Sequence, residues 1–553
     1  MLFSQPINYS EEQKEIINAF GSINKIRINA YAGSGKTTTL LEIAKNYPNE
    51  NFLIVCFNRS VADEIENKAQ MYDLKNVHAK TIHALAYHNL MRQKGGKVKI
   101  VKNADMIKEL NESRIHDDIR ELVRAYKVYE AFCNSEFTEI NENSIKRVIR
   151  SNRNLYNSLI MLEVYSIIKE YEKNKISYDF VSILNNVTNR VVKNVTTIVS
   201  DIDSYIISPH CKSVTHAAYL KMLHRYVAKY HKIPGDYTAI MIDEAQDING
   251  IMVDIIQSLE IPKKVAVGDK HQSIYGWNGA VNALAQLTDW QEFYLTTSFR
   301  FKNQEIIDLA NKFLKNIKKE TRLMRPCEKP KDITGIAYVT RTNASVMEHI
   351  AQIDSPFKLT RPIDSVFEPL LVADKIIKFF VKSERMDEKV PEYVQQLAYN
   401  CSTIESFLET IKNVDIEMYD TIERVYQMRS RGIFVNHIYA KALSLLDPNS
   451  DYTITTAHTA KGLEYKEIIL ASDFMIFEDI IRSFLSEREK NLEPSTIYAN
   501  IIECNPEFSE IIDQINLQYV AVTRASEKIV GPGLSNIERN FSKALEEIAA
   551  NSV

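Results

Sequence analysis

The chain has 553 residues, 45% of them hydrophobic and 25% charged, with a net charge of -4 and a pI near 6.4. Those proportions are ordinary for globular protein, exclude any extreme compositional class, and predict three to four domains by length. The charge gives no bulk signal for nucleic acid, although a local basic groove is compatible with it. No apolar run is long enough to span a bilayer, and Met1 opens no charged-then-apolar signal segment. A soluble intracellular protein is therefore expected, cytoplasmic or nuclear and not secreted. The six cysteines, Cys56, Cys133, Cys211, Cys327, Cys401 and Cys504, are scattered and read as reduced thiols.

In chain order, "YSEEQKEII" (9–17) comes first, with Ser10 and Gln13 spaced as a helix capping box. "KIRINAY" alternates and is partly β-branched, which predicts a short strand. "KTTTLLEIAKNYP" then predicts a helix stopped by Pro48. Between them lies Ala-Tyr-Ala-Gly-Ser-Gly-Lys-Thr, and strand, glycine loop, helix is the setting that a phosphate-binding P-loop requires. Gly33 and Gly35 allow main-chain N–H groups to turn toward phosphates, with Ala32, Ser34 and Thr38 beside them. The helix start adds partial positive charge. Lys36 reaches the β- and γ-phosphates of ATP, and Thr37 is placed for Mg²⁺. Ala30 stands where the pattern usually has its first glycine, and a plain Gly-Ser turn is the bland alternative.

"YTAIMIDEAQD" (237–247) has an apolar run suited to a buried parallel strand, ending in Asp243 and Glu244. Carboxylates at the carboxyl end of such a strand stand where α/β sheets bind ligands. Asp243 would hold Mg²⁺, and Glu244 would orient or deprotonate the attacking water. Residues 91–213 carry Ile, Leu, Tyr and Lys at helical spacing and predict a helical insertion. Lys94, Lys97, Lys99 and Lys102, then Lys146, Arg147, Arg150 and Arg153, are either a phosphate-contacting face or a solvated one. Residues 363–449 predict a second, shorter insertion, and the acidic stretch 473–510 is either an exposed loop or a partner surface.

Further stretches complete an ordered set: "VGDKHQSIYGWNGA" (267–280), "LTTSFRF" (295–301), "TTAHTAKGLEYKEIIL" (455–470) and "LQYVAVTRASEKI" (517–529). In order and wording these resemble the motifs of UvrD/Rep-type superfamily 1 helicases. Phrases such as "THAAYLKMLHRY", "FYLTTSFRF", "TRTNASV" and "YVAVTRA" are closer still to the F-box DNA helicase family, here without room for an F-box ahead of the motor. The resemblance implies an α/β protein with two RecA-like motor domains, each interrupted by a helical insertion. The expected division is 1–90 with 214–305, insertion 91–213, then 306–362 with 450–553, insertion 363–449.

It also implies roles. Gln13 reads the adenine edge, a role compatible with the capping box it also forms with Ser10; Phe299 stacks on the base or packs in the core; Glu464 touches the ribose. Gln272 senses the γ-phosphate, and Arg300 and Arg524 neutralise it from either side of a cleft. Phe57, Asn58, Arg59, Thr81, His83, Tyr275, Trp277, His458 and Thr459 grip single-stranded DNA, by stacking and backbone contact. Asn278 stands where the family has Arg, which puts the coupling of hydrolysis to stepping in doubt. The implied activity is an ATP- and Mg²⁺-dependent DNA helicase moving 3′ to 5′ on single strands and junctions, as a monomer, in repair, recombination or replication. An RNA helicase of the same superfamily, or an ATP-switched clamp that strips or recruits proteins on DNA, remains open.

Overall fold

The computed structural model describes residues 9–541, apart from residue 57, 275–282, residues 387 and 415, 486–491, 503–504 and 506–507. It is built on two parallel sheets. The first contains β1 (Lys25–Ala30), β2 (Phe52–Cys56), β3 (Val77–Thr81), β4 (Ala239–Ile242), β5 (Lys263–Gly268) and β6 (Gln291–Leu295). Their spatial order is β3-β2-β4-β5-β1-β6, with every neighbouring pair parallel. The second contains β7 (Ile336–Thr340), β8 (Lys358–Leu359), β9 (Tyr452–Thr456), β10 (Tyr465–Leu470) and β11 (Ala525–Val530), in the order β8-β9-β7-β10-β11, again all parallel.

The apolar strands are explained by burial on both faces. In β2, Phe52, Ile54 and Cys56 enter one core, while Leu53 and Val55 enter another on the opposite face. β4 divides in the same way, with Met241 on one side and Ile240 and Ile242 on the other. Because the strands are parallel, their carboxyl ends share one edge of the sheet, and that edge is where the candidate residues collect.

Helices fill the long connections. Asn103–Glu112, Ile119–Cys133, Glu142–Ser151, Leu162–Lys173 and the 28-residue Phe180–Ile207 lie between β3 and β4. Ile363–Lys382, Glu392–Tyr399, Ile404–Val414, Ile416–Ser430 and Val435–Leu445 lie between β8 and β9. Both sets contribute to one continuous apolar core, and Lys102 and Glu368 pair between them at 3.6 Å. At the root of the first set, Lys99–Ile100 pairs in parallel with Ser213–Val214. Beside it the Lys94 ammonium donates to the carbonyls of Ile206 and Ser208 at 2.8 and 2.6 Å, capping the long helix. Lys94 is thereby committed to the fold rather than to a phosphate-facing surface.

The described part of 473–510 is helical, with helices Phe477–Phe484 and Pro494–Ile502, rather than an exposed loop. Phe474, Phe477, Ile480, Ile481, Leu485, Ile497 and Ile501 are buried in the core of the second sheet, against helix Ser509–Val522. Glu478 and Asp479 stand on the first turn of the amphipathic helix Phe477–Phe484, and Asp473 accepts from the Arg341 and Thr342 N–H groups at 3.0 Å. Among the described residues no helix is long and apolar enough to cross a membrane. The five described cysteines are free, and Cys504 lies outside the described residues.

Candidate active site

The loop after β1 is shaped by two glycines in the left-handed region, Gly33 at φ +71 and Gly35 at φ +80. A side chain on Gly33 would place its Cβ 2.6 Å from both Arg300 Cβ and Ser298 Oγ, so only glycine allows this approach. Ser298 Oγ donates to the Ala32 carbonyl at 2.7 Å, and Ser34 Oγ to that of Tyr31 at 2.7 Å. Gly35 precedes helix Lys36–Asn46, whose first turn has no side-chain cap, so its N–H groups and partial positive charge face the loop. Thr38 lies half-buried in that turn. Ala30 ends β1 in register with Leu295, in regular strand geometry where a methyl group is no obstacle.

β4 delivers the carboxylates. Thr37 Oγ1 donates to Asp243 Oδ2 at 2.8 Å, and Lys36 Nζ pairs with Glu244 Oε2 at 3.0 Å. Glu244 takes φ +53, an uncommon conformation for a side-chain-bearing residue, at the turn that leads into Ala245–Asp247. Burial and the neighbouring Glu244 charge push Asp243 up, to about 6. Burial also presses Glu244 upward, but Lys36 and Lys461 more than reverse this and hold it low, at about 2. Burial opposes the charge on Lys36, and Glu244, Asp269 and Asp243 restore it, leaving the ammonium above its ordinary value. Thr37 and Asp243 together offer a hard, partly anionic oxygen pair suited to Mg²⁺. Among the described residues no group of three or more His, Cys, Asp or Glu stands ready for a metal, so such a cation would complete its shell with phosphate and water oxygens.

A relay of hydrogen bonds leads away from Glu244. Gln246 Nε2 donates to Glu244 Oε2 at 2.7 Å, and its Oε1 accepts from the Asp269 N–H at 2.9 Å. Gln272 Nε2 donates to Asp269 Oδ2 at 2.7 Å, and Gln272 Oε1 accepts from Arg524 Nη2 at 2.9 Å. Arg524 comes from the second sheet, so the relay crosses the cleft. Arg300 crosses it in the other direction: Nε and Nη2 reach Glu464 Oε1 at 3.0 and 2.6 Å, and Nη1 donates to the Thr523 carbonyl. Burial and the nearby Arg300 charge lower Arg524 to about 9. Glu464 is held below its ordinary value, burial being outweighed by Arg300. Two buried guanidiniums converging on one place suit a polyanion.

Gln13 takes one of the two roles that the sequence leaves open, the helix cap. It completes the capping box with Ser10, and its Nε2 donates to Thr39 Oγ1 at 3.0 Å behind the loop. The Phe299 N–H donates to the Gly33 carbonyl at 2.8 Å; its half-buried ring lies beside Gly35 rather than in a core.

The strand-gripping candidates cluster at helix starts along the same sheet edges. Asn58 Oδ1 caps helix Arg59–Met71 through the Val61 N–H at 2.9 Å, and Thr81 Oγ1 caps Ile82–Lys94 through the Ala84 N–H at 3.1 Å. Arg59 is exposed, 3.7 Å from Asp63. His83 lies edge-on to His216 and Tyr219 at 5.4 and 5.6 Å, and burial, then His216, lowers it to about 4. Thr459 donates its N–H to Thr456 Oγ1 at 3.3 Å. His458 is lowered to about 4 by burial and by Arg341, Lys461 and Arg361. Phe57, Tyr275, Trp277 and Asn278 lie outside the described residues. Sequence reasoning passed over Gln246, Asp247, Asp269 and Lys461, although all four stand inside the quoted motifs.

Comparison with known proteins accords with this geometry. Residues 9–290, just over half of the chain, match the UvrD/REP helicase N-terminal domain family. F-box DNA helicase 1 of Gallus gallus is 27% identical over 94% of this chain and 48% of its own length. F-box DNA helicase protein 1 of Schizosaccharomyces pombe is 23% identical over 94% of this chain and 57% of its own. A probable DNA helicase of Mycoplasma pneumoniae is 24% identical over 57% of each chain. The chain thus spans about half the length of the curated relatives it matches. With a glycine loop, a buried carboxylate pair and cross-cleft arginines in one place, and the family match over the N-terminal half, the chain belongs to the UvrD/REP helicase family.

Proposed function

We propose that the protein is an ATP-driven motor that moves along single-stranded DNA, 3′ to 5′, and opens duplex at single/double-strand junctions. The observation that carries this reading is the Arg524–Gln272 hydrogen bond at 2.9 Å, which joins the second sheet to the turns beside Lys36 and Glu244. The name DNA helicase borne by the relatives favours DNA as the track. In this reading residues 1–90 with 214–305 and 306–362 with 450–553 act as the two motor domains, and 91–213 and 363–449 as insertions.

Lys36 and the loop N–H groups hold the β- and γ-phosphates of ATP, with Gln13, Phe299 and Glu464 around the nucleoside. Thr37 and Asp243 hold Mg²⁺, which neutralises phosphate charge. Glu244 is ionised at neutral pH and accepts the proton of the attacking water as the water oxygen bonds to the γ-phosphorus and the bond from that phosphorus to the β-phosphate oxygen breaks, its electron pair leaving with ADP. Arg300, Arg524 and Gln272 stabilise the charge on the transferring group. Asn58, Arg59, Thr81 and His83 on the first sheet, and His458 and Thr459 on the second, hold the strand and shift as the cleft closes and opens. The protein works as a monomer inside the cell, in the cytoplasm or nucleus, in DNA repair, recombination or replication.

Steady-state ATPase without polymer, with single-stranded DNA and with single-stranded RNA tests the reading, with Lys36→Ala alongside. Strong stimulation by DNA that Lys36→Ala abolishes supports it, and displacement from 3′- and 5′-tailed duplexes then reads polarity. Stimulation mainly by RNA moves the track to RNA. Turnover indifferent to either polymer overturns the motor.

A further inference from the structure

Lys461 follows the short helix Ala457–Ala460 at the end of β9, three residues after His458 and two after Thr459. Its ammonium pairs with Asp247 Oδ1 at 2.6 Å, where the side chains are only 7% and 2% exposed. It also donates to the main-chain carbonyl of Gln272. Asp247 closes the turn Ala245–Asp247, directly after Glu244, and Gln246 Nε2 reaches its Oδ2 at 3.4 Å. One side chain from the second sheet is therefore fastened to both turns of the first sheet that face the phosphate site.

A buried ion pair contributes little net stability, because desolvation of both charges offsets their attraction. Separating its members inside the protein is costly, since each would keep a buried, uncompensated charge. Such a contact is close to all-or-none, the property that a coupling element between two sites needs. The residues at its two ends differ in kind. On one side are Glu244 and Gln272, at the proposed phosphate site; on the other are His458 and Thr459, in the turn that leads into Lys461.

We infer that the Lys461–Asp247 pair is the latch through which the strand-gripping turn of the second sheet and the phosphate-facing turns of the first bias one another. The inference rests on the motor reading above. Lys461 is a positioning residue: it acts through Asp247 and Gln272. Whatever draws His458 and Thr459 along the cleft also moves the ammonium that holds those two turns. By linkage, the factor by which a nucleotide changes strand affinity is the factor by which the strand changes the affinity for that nucleotide.

The test measures the affinity of a fluorescent oligo(dT) by anisotropy, in ADP and in a non-hydrolysable ATP analogue. The proteins are wild type, Lys461→Met, Asp247→Asn, the double variant and Lys461→Arg, with thermal melting to establish that each is folded. Wild type is expected to change affinity about tenfold or more between the two nucleotides. Either neutralising variant should reduce that ratio to about threefold or less, the double variant no further, and Lys461→Arg should keep most of it. A merely structural pair would lower melting temperature and leave the ratio intact. If Lys461→Met does not fold, Asp247→Asn carries the test from the other partner. Retention of the wild-type ratio in the folded neutral variants overturns the latch and leaves the motor standing. A wild-type ratio of one overturns the motor reading, and the latch with it.

Discussion

The two edges that meet at the cleft are opposite in character. The edge of the first sheet brings Asp243, Glu244, Asp247 and Asp269 around one ammonium, that of Lys36. The second brings Arg524 and Lys461, with Glu464 paired to Arg300 of the first. Each edge holds the partner that the other lacks: Arg524 meets Gln272, Lys461 meets Asp247, and Glu464 meets Arg300. Buried charges of one sign are unfavourable in isolation. Neither edge is electrostatically complete alone, so assembly of the site and approach of the two sheets are one event.

Breaking the basic edge should have the largest effect. Arg524→Ala is expected to lower ATP turnover about 10³-fold or more while retaining nucleotide binding, measured by steady-state ATPase beside nucleotide titration. On the acidic edge, Glu244→Gln should lower turnover about 10²–10⁴-fold. ATP should still bind to it, and single-turnover kinetics separate the two. Gly33→Ala tests the meeting line itself. Its φ of +71 alone should cost about 1–2 kcal/mol in a denaturation curve. The contact of its Cβ with Arg300 should lower turnover as well.

Smaller effects are expected at the residues proposed to hold the strand. Arg59→Ala removes an exposed cation, so single-strand affinity should weaken at all sequences and the salt slope should fall by about 1. His458 should show no pH signature of its own. Its imidazole is lowered to about 4, so it stays neutral from pH 8 down to pH 6 and carries no charge to gain there. Wild type and His458→Asn should therefore change DNA affinity in parallel over that range, and divergence would show a charged imidazole in the grip.

The acidic edge was far more legible in the sequence than the contacts across the cleft. "AGSGKT" and "IMIDEA" announce themselves because glycine, lysine and paired carboxylates at strand ends have few other reasons to stand together. Lys461 and Asp247 are 214 residues apart, and each alone reads as a surface charge; only the folded chain buries them as a pair. Asn58 and Thr81 show the opposite ambiguity, since a helix cap and a nucleic-acid contact call for the same short polar side chain. The segment 473–510 misled through its net acidity, because the spacing of Phe477, Ile480 and Ile481 mattered more than its charge.

The root of the first helical connection has a consequence of another kind. Lys99–Ile100 and Ser213–Val214 lie side by side, joined further by the Lys99 N–H to Lys212 carbonyl bond at 2.9 Å and the Val101 N–H to Val214 carbonyl bond at 3.0 Å. The chain leaves and returns through adjacent strands, about 5 Å apart. Everything beyond that doorway is a cassette whose ends are already closed, and closing them is the main entropic obstacle to an insertion. The doorway fixes where that cassette begins and ends, while its helices stay bound to the rest of the protein through the core they share with the helices between β8 and β9.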